Sequence, residues 1–162
     1  MNTKKGQLAS MDLLFALFGF ILVMIFVISM WALYMNRLNT SIENRDLELS
    51  ALQTVDTLLR STGTPINWEI NPNTSEVLGL SSPDGSIDNE KLSAFLKLSY
   101  NSTATKLKIK RFKFNFSIYN LNGTILNSTG LFTNGTKQVV SVDRLIIIKN
   151  ETRKISFTLW RK

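Results

Sequence analysis

The sequence predicts an α+β chain: a long N-terminal α-helix packed on a small antiparallel β-sheet head. Three observations carry the prediction. Residues 13 to 36 form a run of 24 without one charged side chain. Apolar residues then recur every three to seven positions up to Leu59. From Leu107 onward the apolar period falls to two, the spacing of a half-buried strand.

The uncharged run is Phe, Leu, Ile, Val and Met at nearly every position, apolar all round rather than along one face. As a helix it covers roughly 36 Å, against about 30 Å for a bilayer's hydrocarbon core. It is longer than the apolar core of a secretory signal peptide and ends without a small-residue cleavage site. Trp31 and Tyr34 stand where interfacial aromatics belong. Lys4 and Lys5 flank the near end with no acidic residue before Asp12, placing the N-terminus in the cytoplasm and the remainder outside.

Beyond the run, Leu38, Ile42, Leu49, Leu52, Val55 and Leu59 share a helical stripe, read as the face that packs on the head. Asn39-Thr40-Ser41 is the expected place for a break. Ser61-Thr62-Gly63-Thr64-Pro65 stops the helix. Between Pro65 and Asn101, short strands are expected at 67–69 and 77–80 and a β-turn at Ser82-Pro83-Asp84-Gly85. A short helix capped by Asp88 follows, burying Leu92, Phe95 and Leu96.

Leu107 and Ile109 alternate with lysines, and Phe112, Phe114, Phe116 and Ile118 continue in the opposite phase. The phase change at Lys110-Arg111 implies a bulge or a new element. Turns at 121–124 and 133–136 separate further strands. Leu145-Ile146-Ile147-Ile148 reads as a strand covered on both faces, and Ile155, Phe157 and Leu159 alternate near the end. Four to six strands result, either backed by the helix or folded as a two-sheet sandwich.

The chain has no Cys and no His, which removes disulfides, thiolates, imidazole bases and His/Cys metal sites. No catalytic residue, metal or cofactor is assigned, and an enzyme is not expected. Asp84, Asp88 and Glu90 cluster in one loop but lack EF-hand spacing. The charge of +7 suits nucleic acid, an anionic surface or simple solubility. Lys106, Lys108, Lys110, Arg111 and Lys113 form the basic stretch. Strand alternation puts its aromatics on the opposite face, which favours a solvated strand over a nucleic-acid site.

Asn-x-Ser/Thr sequons occur at Asn39, Asn73, Asn101, Asn115, Asn122, Asn127, Asn134 and Asn150. Composition alone predicts about three, and all eight lie beyond the apolar run. That favours an N-glycosylated head outside the cell over an incidental Asn/Ser/Thr richness, with several sites used rather than all.

Lys4-Lys5-Gly6-Gln7, Ser10, Asp12 and the apolar run together resemble the class III signal of archaeal type IV pilins and pilin-like proteins. The resemblance covers about thirty residues. A looser likeness to the heads of some pilin-like proteins lies in the Pro-x-Asn-Trp, Gly-Leu and short-helix order. The resemblance implies a leader at 1–6, cut between Gly6 and Gln7 by a prepilin peptidase. It further implies a transmembrane helix at 7–35, an extracellular amphipathic helix at 36–62 and a β-rich head at 63–162. Assembly would join the N-terminal helices of several subunits, with a secretion ATPase and a platform protein acting indirectly. Asp12 would pair with the new Gln7 amine of a neighbour or stay hydrated at the interface. Asp12 stands sixth after the cut, where most such pilins place an acidic residue fifth, so a minor or accessory subunit is expected. The competing expectation is a non-polymerising anchored protein whose head binds a sugar, surface or partner.

Overall fold

The computed structural model describes residues 3–133, 135, 138–148 and 151–161, with side chains described from Met11 onward. The chain divides into two compact units, residues 1–43 and 44–162. Helix α1, Thr3–Arg60, runs through the boundary, and the expected break at 39–41 is absent. Thr40 Oγ1 donates to the Asn36 carbonyl four residues back at 3.0 Å. Its hydroxyl is thereby satisfied within the helix instead of capping a new one.

In the first unit every described side chain of the apolar run is exposed. The helix is long and apolar enough to cross a membrane, and none of its most apolar window is buried.

In the second unit the order is α1, helix α2 (Asn89–Lys97), helix α3 (Tyr100–Lys106), then strands β1 (Phe112–Tyr119), β2 (Ile125–Gly130), β3 (Val139–Ile148) and β4 (Glu151–Arg161). The strands form one antiparallel sheet in the order β2-β1-β4-β3. The sheet is backed by the helix, so the fold is helix on sheet and not a sandwich. Phe112, Phe114 and Phe116 of β1 and Ile155, Phe157 and Leu159 of β4 turn inward. They join Leu47, Ala51, Val55 and Leu58 of α1 in a single core. Phe95 of α2 meets Phe116 edge-on with ring centroids at 5.1 Å, and Tyr100 of α3 stacks on Phe114 at 5.0 Å. Each such ring or branched chain contributes about 1.5–3 kcal/mol by leaving water.

The expected helix stripe is corrected by this core. Val55 is buried and Leu52 and Leu59 flank it, but Leu38, Ile42 and Leu49 are exposed. At about 100° per residue, Leu49 lies roughly 160° round the helix from Ala51, the centre of the buried face. Small Ala51 permits the close approach that a stripe of larger residues hides.

Three expected strands are likewise absent. Residues 67–69 form turns, and Val77 makes only an isolated bridge to Thr64. The cause is Trp68, which is fully buried and donates from its indole nitrogen to the Gly79 carbonyl at 2.8 Å. Both segments wrap around that ring instead of pairing. Gly63, at φ +83°, lies so close beneath the ring that an added Cβ would collide with it.

The third is 107–110. Lys106 ends α3, a helix capped by Ser99 that the sequence pattern did not announce. Lys108 sits in the left-handed region at φ 59°. The amide of Ile109 donates to the Ala104 carbonyl and that of Lys108 to the Thr105 carbonyl, both at 3.0 Å. This pair of bonds is a Schellman helix end, with Ile109 and Ala104 buried as its apolar contact. The phase change at Lys110-Arg111 therefore marks a new element, β1.

Strand β3 is an edge. Leu145 and Ile147 are 68% and 64% exposed, so the Leu145–Ile148 run is covered on one face only. The α2 cap and both described turns match the sequence. Asp88 Oδ1 accepts from the amides of Glu90 and Lys91 at 2.8 and 3.3 Å. Gly85 donates to the Ser82 carbonyl, and Gly123 to that of Asn120, each closing its turn.

Candidate functional site

Two surfaces qualify as functional: the bare apolar helix of the first unit and the surface of the head. On the helix, Lys4, Lys5, Gly6 and Gln7 lie within the first turns of α1, ahead of the residues whose side chains are described. Asp12 is exposed on the same helix. Trp31 and Tyr34 are exposed near the far end of the apolar run. One helix, α1, thus carries Lys4 to Gln7, the Asp12 carboxylate and the apolar run.

The basic stretch does not form one strand face. Lys106 Nζ folds back to donate to the carbonyls of Ser75 and Asn73 at 2.6 and 3.2 Å. Arg111 binds Asp46 of α1 at 2.8 Å and lies over the Phe112 ring. Lys106, Lys108 and Arg111 border a cavity of about 370 Å³ beside Ser50 and Thr57. Phe112 and Phe114 belong to the core and offer no face to a base. A second ion pair, Arg144 with Asp56 at 3.6 Å, joins β3 to α1.

Asp84 and Asp88 are engaged separately, and Glu90 lines the groove beside α2. Asp84 Oδ1 accepts from the hydroxyl and amide of Ser86, and these bonds hold its carboxyl below the ordinary value of 3.8. Asp88 caps α2. Among the described residues no three His, Cys, Asp or Glu side chains gather as a metal site.

A shallow groove of about 810 Å³ runs between the loop at 69–73 and helices α2 and α3. Glu69, Ile70, Asn73, Asn89, Lys97 and Ser99 contribute to its walls. Glu69 Oε2 is buried there without a hydrogen-bond partner. No pattern along the chain marks this groove, since its residues come from three separate elements.

The sequons separate sharply. Asn122 is exposed in the β1–β2 turn, where Thr124 Oγ1 donates to Asn122 Oδ1 at 2.6 Å. Asn127 is exposed on β2. Asn73 and Asn101 are exposed, yet their partner hydroxyls on Ser75 and Thr103 are buried and donate to the carbonyls of Pro72 and Ser99. Asn115 sits on the inner strand β1 with Ser117 buried beside it. Asn39 lies within α1. Asn134 and Asn150 fall outside the described residues.

No protein-family model, no curated protein and no solved structure matches this chain. The functional reading therefore rests on its own residues.

Proposed function

We propose that the chain is a prepilin-like precursor, anchored by α1 with its N-terminus in the cytoplasm and its head outside. In this reading a prepilin peptidase cuts between Gly6 and Gln7. The mature subunit, a minor or accessory one, is then extracted from the bilayer into a type IV pilus or related surface filament. The observation that carries the reading is the pairing of a wholly unburied apolar helix with a head that has its own closed core. The head does not need the first unit to bury its apolar residues. The helix is therefore free to exchange lipid for the helices of neighbouring subunits.

Asp12 supports the same reading. A carboxylate beside a membrane span is costly unless paired or hydrated. The α-amino group created at Gln7 would supply a partner across a helix–helix contact.

The partnerless Glu69 oxygen in the groove favours a second reading, an anchored protein whose head captures a donor-rich ligand such as a sugar. Intact-mass measurement with and without the peptidase separates the two. Loss of Met1–Gly6 is expected for the first, and retention with the protein left in the membrane for the second. Gly6→Val should accumulate precursor, and normal maturation of that variant would refute the cleavage assignment.

A further inference from the structure

The edges of the sheet are unequally protected. Edge strands expose unpaired amides and carbonyls that template aggregation, and proteins blunt them with charges or Pro. Strand β3 carries Asp143 and Arg144 at its middle. Strand β2 carries neither charge nor Pro, and it lies inside a stretch, Phe114 to Thr136, of 23 residues without one charged side chain. Leu121, Ile125 and Leu126 are 67%, 55% and 45% exposed along this hairpin. A short uncharged β-segment with exposed Leu and Ile is a sequence signature of aggregation. The same uncharged stretch holds four of the eight sequons, Asn115, Asn122, Asn127 and Asn134.

We infer that Asn122 and Asn127 carry N-linked glycans, and that these glycans protect the β2 edge where charges protect β3. The inference rests on the head lying outside the cell. Of the described sequons, Asn122 is exposed with an exposed Thr124 two residues on, Asn127 is exposed with Thr129 half-buried at the sheet edge, and Asn39 is exposed with Ser41 but within a helix. In the extended strand β2, Asn127 and Thr129 point to the same side. On a helix, residues two apart do not face each other, which sets aside Asn39 in α1 and Asn101 in α3. Ser75 and Ser117 are buried beside Asn73 and Asn115.

The transfer requires a lipid-linked glycosyl phosphate or diphosphate donor. The Asn side-chain nitrogen bonds to the anomeric carbon as the bond from that carbon to the phosphate oxygen breaks. The phosphate departs with the lipid carrier, and one amide proton passes to a base of the transferase. No oxidation or reduction is involved. A bulky hydrated substituent at the hairpin turn and another midway along β2 then block pairing of β2 with another strand.

The test uses full-length protein purified from its native membranes in mild detergent. Site-localising glycopeptide mass spectrometry should find sugar on Asn122 and Asn127, and none on Asn73, Asn101 or Asn115. Unmodified Asn122 and Asn127 would overturn the inference. Labelling of head lysines on whole cells with an impermeant reagent then shows whether the outward placement has failed too. Asn122→Gln with Asn127→Gln should lose two glycan masses and shift the protein to larger, concentration-dependent species. Adding Leu126→Lys to that double variant should restore the original size. A double variant that stays monodisperse would remove the protective role.

Discussion

Lys91 of α2 is tied to Thr62, two residues beyond the end of α1, by a hydrogen bond of 2.8 Å from its ammonium to the Thr62 carbonyl. The same nitrogen donates to the Ser81 carbonyl at 3.2 Å, and the residue is 3% exposed. A single side chain thereby holds the end of the long helix, the irregular segment after it and the first short helix. Lys91→Met keeps the apolar stem but leaves two carbonyls without this donor. The expected loss is about 2–3 kcal/mol, since a buried carbonyl deprived of its partner costs about 1–3 kcal/mol. Urea unfolding of the full chain in detergent, followed by fluorescence of the buried Trp68 and Trp160, measures it.

The Trp68 ring makes its own prediction at Gly63. Alanine there meets both an unfavourable positive φ and the ring itself. Gly63→Ala should destabilise by about 2 kcal/mol or more, combining left-handed strain with overpacking. Gly85→Ala has the same sign of φ but open space around it, and should cost only the backbone share. Equal losses at the two positions in the same urea assay would show that the ring contact contributes nothing.

Helix α3 ends on a lysine where glycine is the usual choice. Left-handed backbone costs an L-residue roughly 1–2 kcal/mol. Lys108→Gly should therefore raise stability by about 1 kcal/mol while leaving the α3 end bonds in place. A lowered unfolding midpoint would mean that the lysine stem makes a compensating contact.

These residues also show how much of the molecule could be read from its sequence. An unbroken apolar run carried the membrane-length helix, and strict alternation carried β1, because Phe112, Phe114, Phe116 and Ile118 alternate without interruption and are all buried. Cap and turn chemistry carried α2 and both described turns, because Asp88, Asp84 and Gly123 act on their immediate neighbours. What failed depended on partners distant in the chain. Trp68 and Gly79 are 11 residues apart, and their bond turns two expected strands into loops. Lys91 and Thr62 are 29 apart. Ala51 gave no signal as the centre of a helix face, although it is fully buried. For the candidate site, Lys4 to Gln7 and Asp12 are a linear pattern that needs no fold to be seen. The groove beside Glu69 and the position of β2 at a sheet edge exist only once the elements are assembled.

The Asp84 turn should respond to acid. Its carboxyl is held below 3.8 first by the Ser86 hydroxyl and then by the Ser86 amide, so the folded value is depressed. A depressed carboxyl lends stability above its unfolded value and loses it as pH falls through the folded one. The turn should accordingly loosen at a lower pH than the titration of an ordinary Asp carboxyl would dictate. The Ser86 amide proton, followed by NMR during acid titration, reports this directly. Ser86→Ala removes the larger cause and should move that midpoint upward.

The last prediction concerns the apolar helix. In the protein alone Val23 and Val27 are exposed, so their replacement removes no buried contact. In a bilayer the same positions lie near the middle of the span, where an acidic residue costs about 2.5–3.5 kcal/mol on insertion scales. Val23→Asp with Val27→Asp should therefore cost roughly 5–7 kcal/mol of membrane insertion and almost nothing in head stability. Fractionation of cells should find the double variant largely outside the membrane pellet, while Val23→Leu with Val27→Leu stays within it. Urea unfolding should return the same midpoint for both. A shifted midpoint in the Asp variant would show that the helix packs on protein rather than lipid, and the reading of a bare, exchangeable helix would have to be abandoned.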